Sequence, residues 1–259
     1  MANPNIRSDG QTTSFASAST SWAVQMPDTV ESTDQILVIL QPFAGATPPS
    51  ASRSGWTSLR NDQMFSDRSL QFLVKDTVTG SEDGTTETFT IDQSSYGTAV
   101  AVAIVNGDDS ANWAFGSIAT GTGSANPDPP SLTSGFGAVN TLWIAVAAAF
   151  DDDATVSSYP SNYTHYTDEV QSGGGTNAGN EIGIAARQYA AASDNPGTFT
   201  LSETENWGAQ TLAIGPRVWT GSAALSMSLA VAATGKKKAY GSAALSMSLA
   251  VAATGKKKA

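Results

Sequence analysis

The sequence predicts an all-β protein, a sandwich or barrel of short strands followed by a C-terminal β-strand repeat segment. Three observations carry this reading. Short stretches rich in Val, Ile, Thr, Phe and Trp are separated by loops of Gly, Ser, Asp and Pro. Helical spacing of apolar residues is hard to find anywhere along the chain. Residues 221–239 recur identically as 241–259, and within each unit large apolar residues alternate strictly with Ser or Ala.

The strands follow in order. Segments 12–18 and 21–26 open the series. Segment 35–41 contains Ile36-Leu37-Val38-Ile39-Leu40, an unbroken apolar run expected of a central strand buried on both faces. Gly55 opens 55–60. Segment 69–77 is more mixed around Gln71 to Lys75 and is expected nearer an edge. Segment 86–91 follows, and 98–106 contains another continuous run, Thr98 to Val105, expected to be central. Segments 112–118, 141–150, 163–170, 181–191, 197–201 and 210–214 complete the body, which Gly215-Pro216 closes. The domain reading is therefore a β-sandwich at 1–216, then a connector and two repeats of 20-residue period at 217–259.

In the repeats, Leu225, Met227, Leu229 and Val231, then Leu245, Met247, Leu249 and Val251, form one large apolar face. Thr234-Gly235 supplies a stop, which favours strands over the competing helix. Two such strands alone are marginal in water, so these eight residues are the expected assembly contacts. A passive flexible tail is the competing reading.

Composition removes several classes. With no cysteine, a disulfide scaffold and a Cys-based zinc site are excluded. All 23 acidic residues precede position 206, while six of the 13 basic residues are the repeat lysines 236–238 and 256–258. Residues 1–219 thus carry −16 and residues 220–259 carry +6. A body of that charge repels phosphate backbones, so nucleic acid is not an expected partner. The start of the chain has no apolar core of signal-peptide length, and the longest apolar runs are too short to span a bilayer as a helix. Neither a secretory leader nor membrane insertion is expected.

Candidate chemistry is sparse. His165 is the only histidine, and no G-x-S-x-G elbow accompanies it. The Gly173-Gly174-Gly175 loop lacks the Lys-Ser/Thr and helix of a phosphate loop. Asp151, Asp152 and Asp153 follow a predicted strand and are weak calcium candidates, against the reading of a solvated loop. Among the six tryptophans, Trp56, Trp143 and Trp207 fall in the strand pattern and are expected in the core. Trp113 and Trp219 are the candidates for surface contact. No catalytic residue, no cofactor and no enzymatic activity are expected.

One constellation resembles a known family. Pro48-Pro49-Ser50 leads to Gly55-Trp56-Thr57-Ser58-Leu59. The strand 70–75, Thr86-Glu87-Thr88-Phe89-Thr90-Ile91, and the run ending Ile104-Val105-Asn106-Gly107 follow. Then come Leu142-Trp143-Ile144-Ala145-Val146 and, at the end, Trp207-Gly208-Ala209-Gln210-Thr211-Leu212-Ala213-Ile214. This order is similar to jelly-roll β-sandwich virion structural proteins of tailed bacteriophages, and the C-terminal repeats resemble those extending some phage fibres. The resemblance covers roughly residues 10–215 and 221–259. It implies a jelly-roll-like body and a virion protein made in the host cytoplasm, most naturally a tail fibre or appendage. A capsid decoration protein and a carbohydrate-binding module are the alternatives. It also implies a homo-oligomer (a trimer by the fibre likeness, with dimers and hexamers open), other virion proteins as partners, and a host surface glycan as a further one.

Overall fold

The computed structural model describes residues 3–7, 11–44, 47–150, 154–166 and 180–217. The eight assembly residues of the repeats, Trp219, Asp151 to Asp153 and the far part of the strand expected at 163–170 lie outside the described residues.

The body is all-β. In chain order its strands are β1 (Asn5–Ile6), β2 (Gln11–Gln25), β3 (Gln35–Phe43), β4 (Ala51–Ser52), β5 (Thr57–Phe65), β6 (Arg68–Lys75) and β7 (Thr86–Val105). After a 3-10 turn at Ser110–Asn112 come β8 (Ala114–Phe115), β9 (Ala119–Ser124), β10 (Leu132–Thr133), β11 (Asn140–Ala149), β12 (Val156–Ser158) and β13 (Thr164–His165). The last are β14 (Glu181–Ala190), β15 (Ser193–Asp194), β16 (Thr200–Leu201) and β17 (Glu205–Ile214). No helix among the described residues is long and apolar enough to cross a membrane.

Two antiparallel sheets make the sandwich. The first runs β1-β7-β3-β6-β5, with β2 and β4 also on β7; the second runs β13-β14-β11-β17-β8, with β9 also on β17. Each sheet is drawn wholly from one half of the chain. Between them lies the main core. Leu37, Ile39, Phe72, Val100 and Val102 of the first sheet meet Leu142, Ile144, Val146, Ile184 and Leu212 of the second.

Both outer faces are covered as well, which explains the continuous apolar strands. On the first sheet, β2 and β7 bend back over their own sheet. Phe15 and Trp22 are seven residues apart on one strand yet stack at 4.2 Å, whereas a straight strand would separate them by about 23 Å. The pairing of β2 with β7 shifts register between Phe15 and Ser21 to allow the bend. Trp22, Val24, Phe89 and Ile91 are thereby laid on Ile36, Val38 and Leu40. On the second sheet, Ala145, Ala147, Ala149, Ala185 and Ala209 form a shallow face, and the β12–β16 ribbon sits on it through Val156, Phe199 and Leu201. Small side chains on the sheet are what permit this close cover. A Cβ at Gly183 would come within 2.8 Å of Val156.

The sandwich expected from the sequence is the architecture found, with differences of detail; β9, for one, lies where no strand is expected, and 197–201 is strand only at Thr200–Leu201. Segments 12–18 and 21–26 are one strand, β2, and 86–91 and 98–106 are one strand, β7, because register shifts take up the bend and pairing resumes beyond it. Segment 112–118 is the end of a turn and the two-residue β8. The mixed segment 69–77 is not at the edge: β6 lies between β3 and β5. Its buried Gln71 is tolerated there because its side chain exchanges two hydrogen bonds with the backbone of Ala51, at 2.6 and 2.8 Å.

Candidate functional site

Ion pairs occupy much of the chemistry the sequence offers. At the end of β6, Lys75 meets Glu82 at 2.8 Å and Glu87 at 3.5 Å, and Arg53 pairs with Glu87 from the other side. Burial works to raise the Glu82 carboxyl, but the hydrogen bond from Lys75, with those from the N–H and hydroxyl of Thr79, outweighs it. The pKa is lowered from 4.5 to about 2. A carboxylate with a depressed folded-state pKa stabilises the fold above its unfolded pKa, and that contribution is lost as pH falls through the folded value. Glu82→Gln is therefore expected to lower the urea midpoint at about pH 7 and to have a shrinking effect toward about pH 2. Equal losses at both pH values would show that Glu82 acts through packing alone.

His165 is exposed on β13, with its ring 4.9 Å from that of Tyr159. No serine–carboxylate pair accompanies it in the hydrogen bonds of the described residues. Trp113, expected at the surface, is a core residue instead. It is 7% exposed, packs between the sheets, and donates its indole N–H to the Asp108 carbonyl at 3.0 Å. Asp109 caps the 3-10 turn by accepting from the Ala111 N–H, and Trp113 follows that turn directly into the core supplied by the strands of both sheets. Trp143 and Trp207 are buried as expected, and Trp56 is half-buried against Phe89.

Two open clefts flank this turn. One, of about 350 Å³, is lined by Ser58, Leu59, Arg60, Trp113 and Phe115. The other, of about 340 Å³, is lined by Gln35, Asp76, Asp108, Asp109 and Arg217. Asp76 accepts from the Gln35 amide at 2.6 Å and from the Ser110 hydroxyl, so its carboxylate ties β6 to the turn. Among the described residues no three His, Asp or Glu side chains are grouped to hold a metal ion.

The most distinctive surface lies on the outer face of the second sheet. Arg187 on β14 is locked to Asp194 on β15, with one contact at 2.9 Å and a second, shorter one. Its guanidinium lies 4.9 Å from the Tyr163 ring and 4.6 Å from the Tyr189 ring. Tyr163 donates its hydroxyl to the same Asp194; burial first, then this carboxylate, push the phenol pKa well up. Tyr189 is 48% exposed, and with Val139 it makes up the exposed large hydrophobic side chains of the described residues. The result is a rigid aromatic platform backed by a cation. The signal was present in the sequence, because Arg187 and Tyr189 are two apart and share a strand face, but Asp194 and Tyr163 reach it only through the fold.

Comparison with protein families, with characterised proteins and with solved structures finds no match to this chain.

Proposed function

We propose that this chain is a structural protein of a bacteriophage virion, a tail-fibre or tail-appendage component exposed on the particle. The observation that carries the reading is the pair of identical units at 221–239 and 241–259 joined to an acidic β-sandwich. Each unit pairs a large apolar face with a small-residue face and ends in three lysines, a pattern suited to strands that pack against other copies. The body complements it electrostatically. Six of its seven basic side chains, Arg7, Arg53, Arg60, Arg68, Lys75 and Arg187, are within ion-pair distance of acids. Its excess acid, −16 overall, is therefore left to attract the repeat lysines of neighbouring copies.

A closed sandwich with both outer faces covered suits a rigid displayed module, and the Tyr189 platform is its candidate contact surface. Labelled antibody on purified particles, viewed by electron microscopy, tests the reading. Label on the tail appendage is the expected result. Label spread over the capsid shell would favour the decoration protein, and absence from purified particles would overturn both.

A further inference from the structure

The two sheets are built on one plan. From its β2 edge the first runs β2-β7-β3-β6-β5, and from its β9 edge the second runs β9-β17-β11-β14-β13. Of the five strands named in each sheet, the first in sequence is an edge, the second is central, the third is the far edge, the fourth returns beside the second, and the fifth enters between first and second. Registers agree too. Leu37 faces Val102 and Val74, as Ile144 faces Leu212 and Ala186.

Strand order alone is a weak argument, but the irregular parts match as well. Thr88-Phe89-Thr90 recurs 110 positions later as Thr198-Phe199-Thr200, and both phenylalanines are fully buried. Ile91 then faces Ala51, as Leu201 faces Val156. The next residues make the same reciprocal bonds. Asp92 N–H donates to Ser50 O at 3.0 Å and Asp92 Oδ1 accepts from Ser50 N–H at 2.9 Å. Ser202 N–H donates to Thr155 O at 2.7 Å and Ser202 Oγ accepts from Thr155 N–H at 2.9 Å. The turn before the far edge strand repeats likewise. Trp56 N–H reaches Arg53 O and Tyr163 N–H reaches Pro160 O, both at 3.2 Å. Each follows a residue of positive φ, Gly55 at 82° and Asn162 at 68°. Finally, Lys75 pairs with Glu82 and Arg187 with Asp194, each seven residues on.

We infer that the body is a tandem duplication of one half-sandwich unit, and that the core between its sheets is a homodimer interface fused into a single chain. The contacts across that interface have the self-complementary form of a two-fold axis, where residue i meets j and the equivalent of j meets the equivalent of i. One antiparallel bridge, Gly107 to Pro216, joins the two ends through Arg217 N–H on Asn106 O and Asp108 N–H on Gly215 O, and it centres on the equivalent pairs 106/216 and 107/217. At the other end of the strands the equivalent residues Arg68 and Asn180 bond each other at 2.6 Å. The Arg68 guanidinium lies 4.1 Å from the Phe43 ring and 4.8 Å from the ring of its equivalent, Phe150.

The duplication also shows where the copies parted. Lys75 is enclosed by two glutamates with exposed Thr77 beyond it. Its counterpart Arg187 instead stacks between aromatic rings, with exposed Tyr189 in the place of Thr77. The aromatic platform thus belongs to the second copy alone.

Exchange across the axis tests the duplication. Arg68→Asn alone removes the buried cation, and Asn180→Arg alone sets two cations together; each is expected to lower the thermal midpoint by roughly 6 °C or more. The combined exchange, Arg68→Asn with Asn180→Arg, rebuilds the pair in mirrored positions and is expected to recover most of that loss. A combined variant no more stable than the worse single one would overturn the inference. Should these buried variants fail to fold, Ser50→Thr with Asp92→Ser installs the second copy's bonded pair in the first at an exposed site. It is expected to melt with the unaltered protein, while Asp92→Ala melts lower. If the transplanted pair falls as far as Asp92→Ala, the two sites are not equivalent and the inference fails.

Discussion

Ending the chain after Trp219 is expected to leave a folded body that no longer assembles or enters particles. The removed segment carries eight large apolar residues, Leu225 to Val231 and Leu245 to Val251, on one alternating face. Burial of each contributes roughly 1.5–3 kcal/mol before ordering costs. Two such strands alone are marginal in water, so on the proposed reading that contribution requires partners. The truncation also removes all six repeat lysines and leaves the remaining body at −16, where self-repulsion opposes close approach of copies. Light scattering on both forms, with a count of protein incorporated per particle, checks this. Unchanged mass and normal incorporation would make the repeats a passive tail and remove the main support for a fibre-type role. The body itself should keep its melting temperature, since its described buried clusters draw on residues no later than Ile214.

Gly97→Ala is expected to be among the most damaging single changes in the body. Gly97 lies where β7 turns from the flat sheet into the covering ribbon, at φ 151°. A Cβ there would stand 2.1 Å from the Gln41 carbonyl oxygen and 2.5 Å from the Trp22 ring. The first contact is backbone in the central strand β3 and has no room to yield. The second holds the stacked Phe15–Trp22 pair that seals the outer core. A loss of about 3 kcal/mol or more follows, or roughly 6–12 °C for a domain of this size. Thermal unfolding followed by tryptophan fluorescence reads it directly. A midpoint shift under about 2 °C, the equivalent of less than 1 kcal/mol, would mean that the ribbon does not fold back on β3.

Much of the fold was legible along the chain. The runs Ile36 to Leu40 and Thr98 to Val105 announced central strands, because only a strand covered on both faces stays apolar at every position. Trp143 and Trp207 were placed in the core by strand pattern alone, and the absence of helical periodicity fixed the class. The candidate platform was half legible, since Arg187 and Tyr189 share a face by parity.

What the tertiary structure decided lies in contacts between residues far apart in sequence. Whether two apolar segments are one bent strand or two depends on what the bend can pack against, so β2 and β7 could not be joined from local pattern. Trp113 was misplaced because it sits near loops, while its burial is set by a core supplied by other strands. Asp194 and Tyr163 join Arg187 only once β15 and the turn before β13 have been brought to β14. The internal duplication was hidden for a related reason. Core positions accept any side chain of fitting volume, so Leu37 and Ile144, or Val74 and Ala186, diverged while the register they occupy did not. The amino-acid sequence determined the strand class, the buried runs and the repeat segment, because these follow from local periodicity. Pairing, bending and the symmetric core were decided by long-range packing, where geometry is retained and residue identity is not.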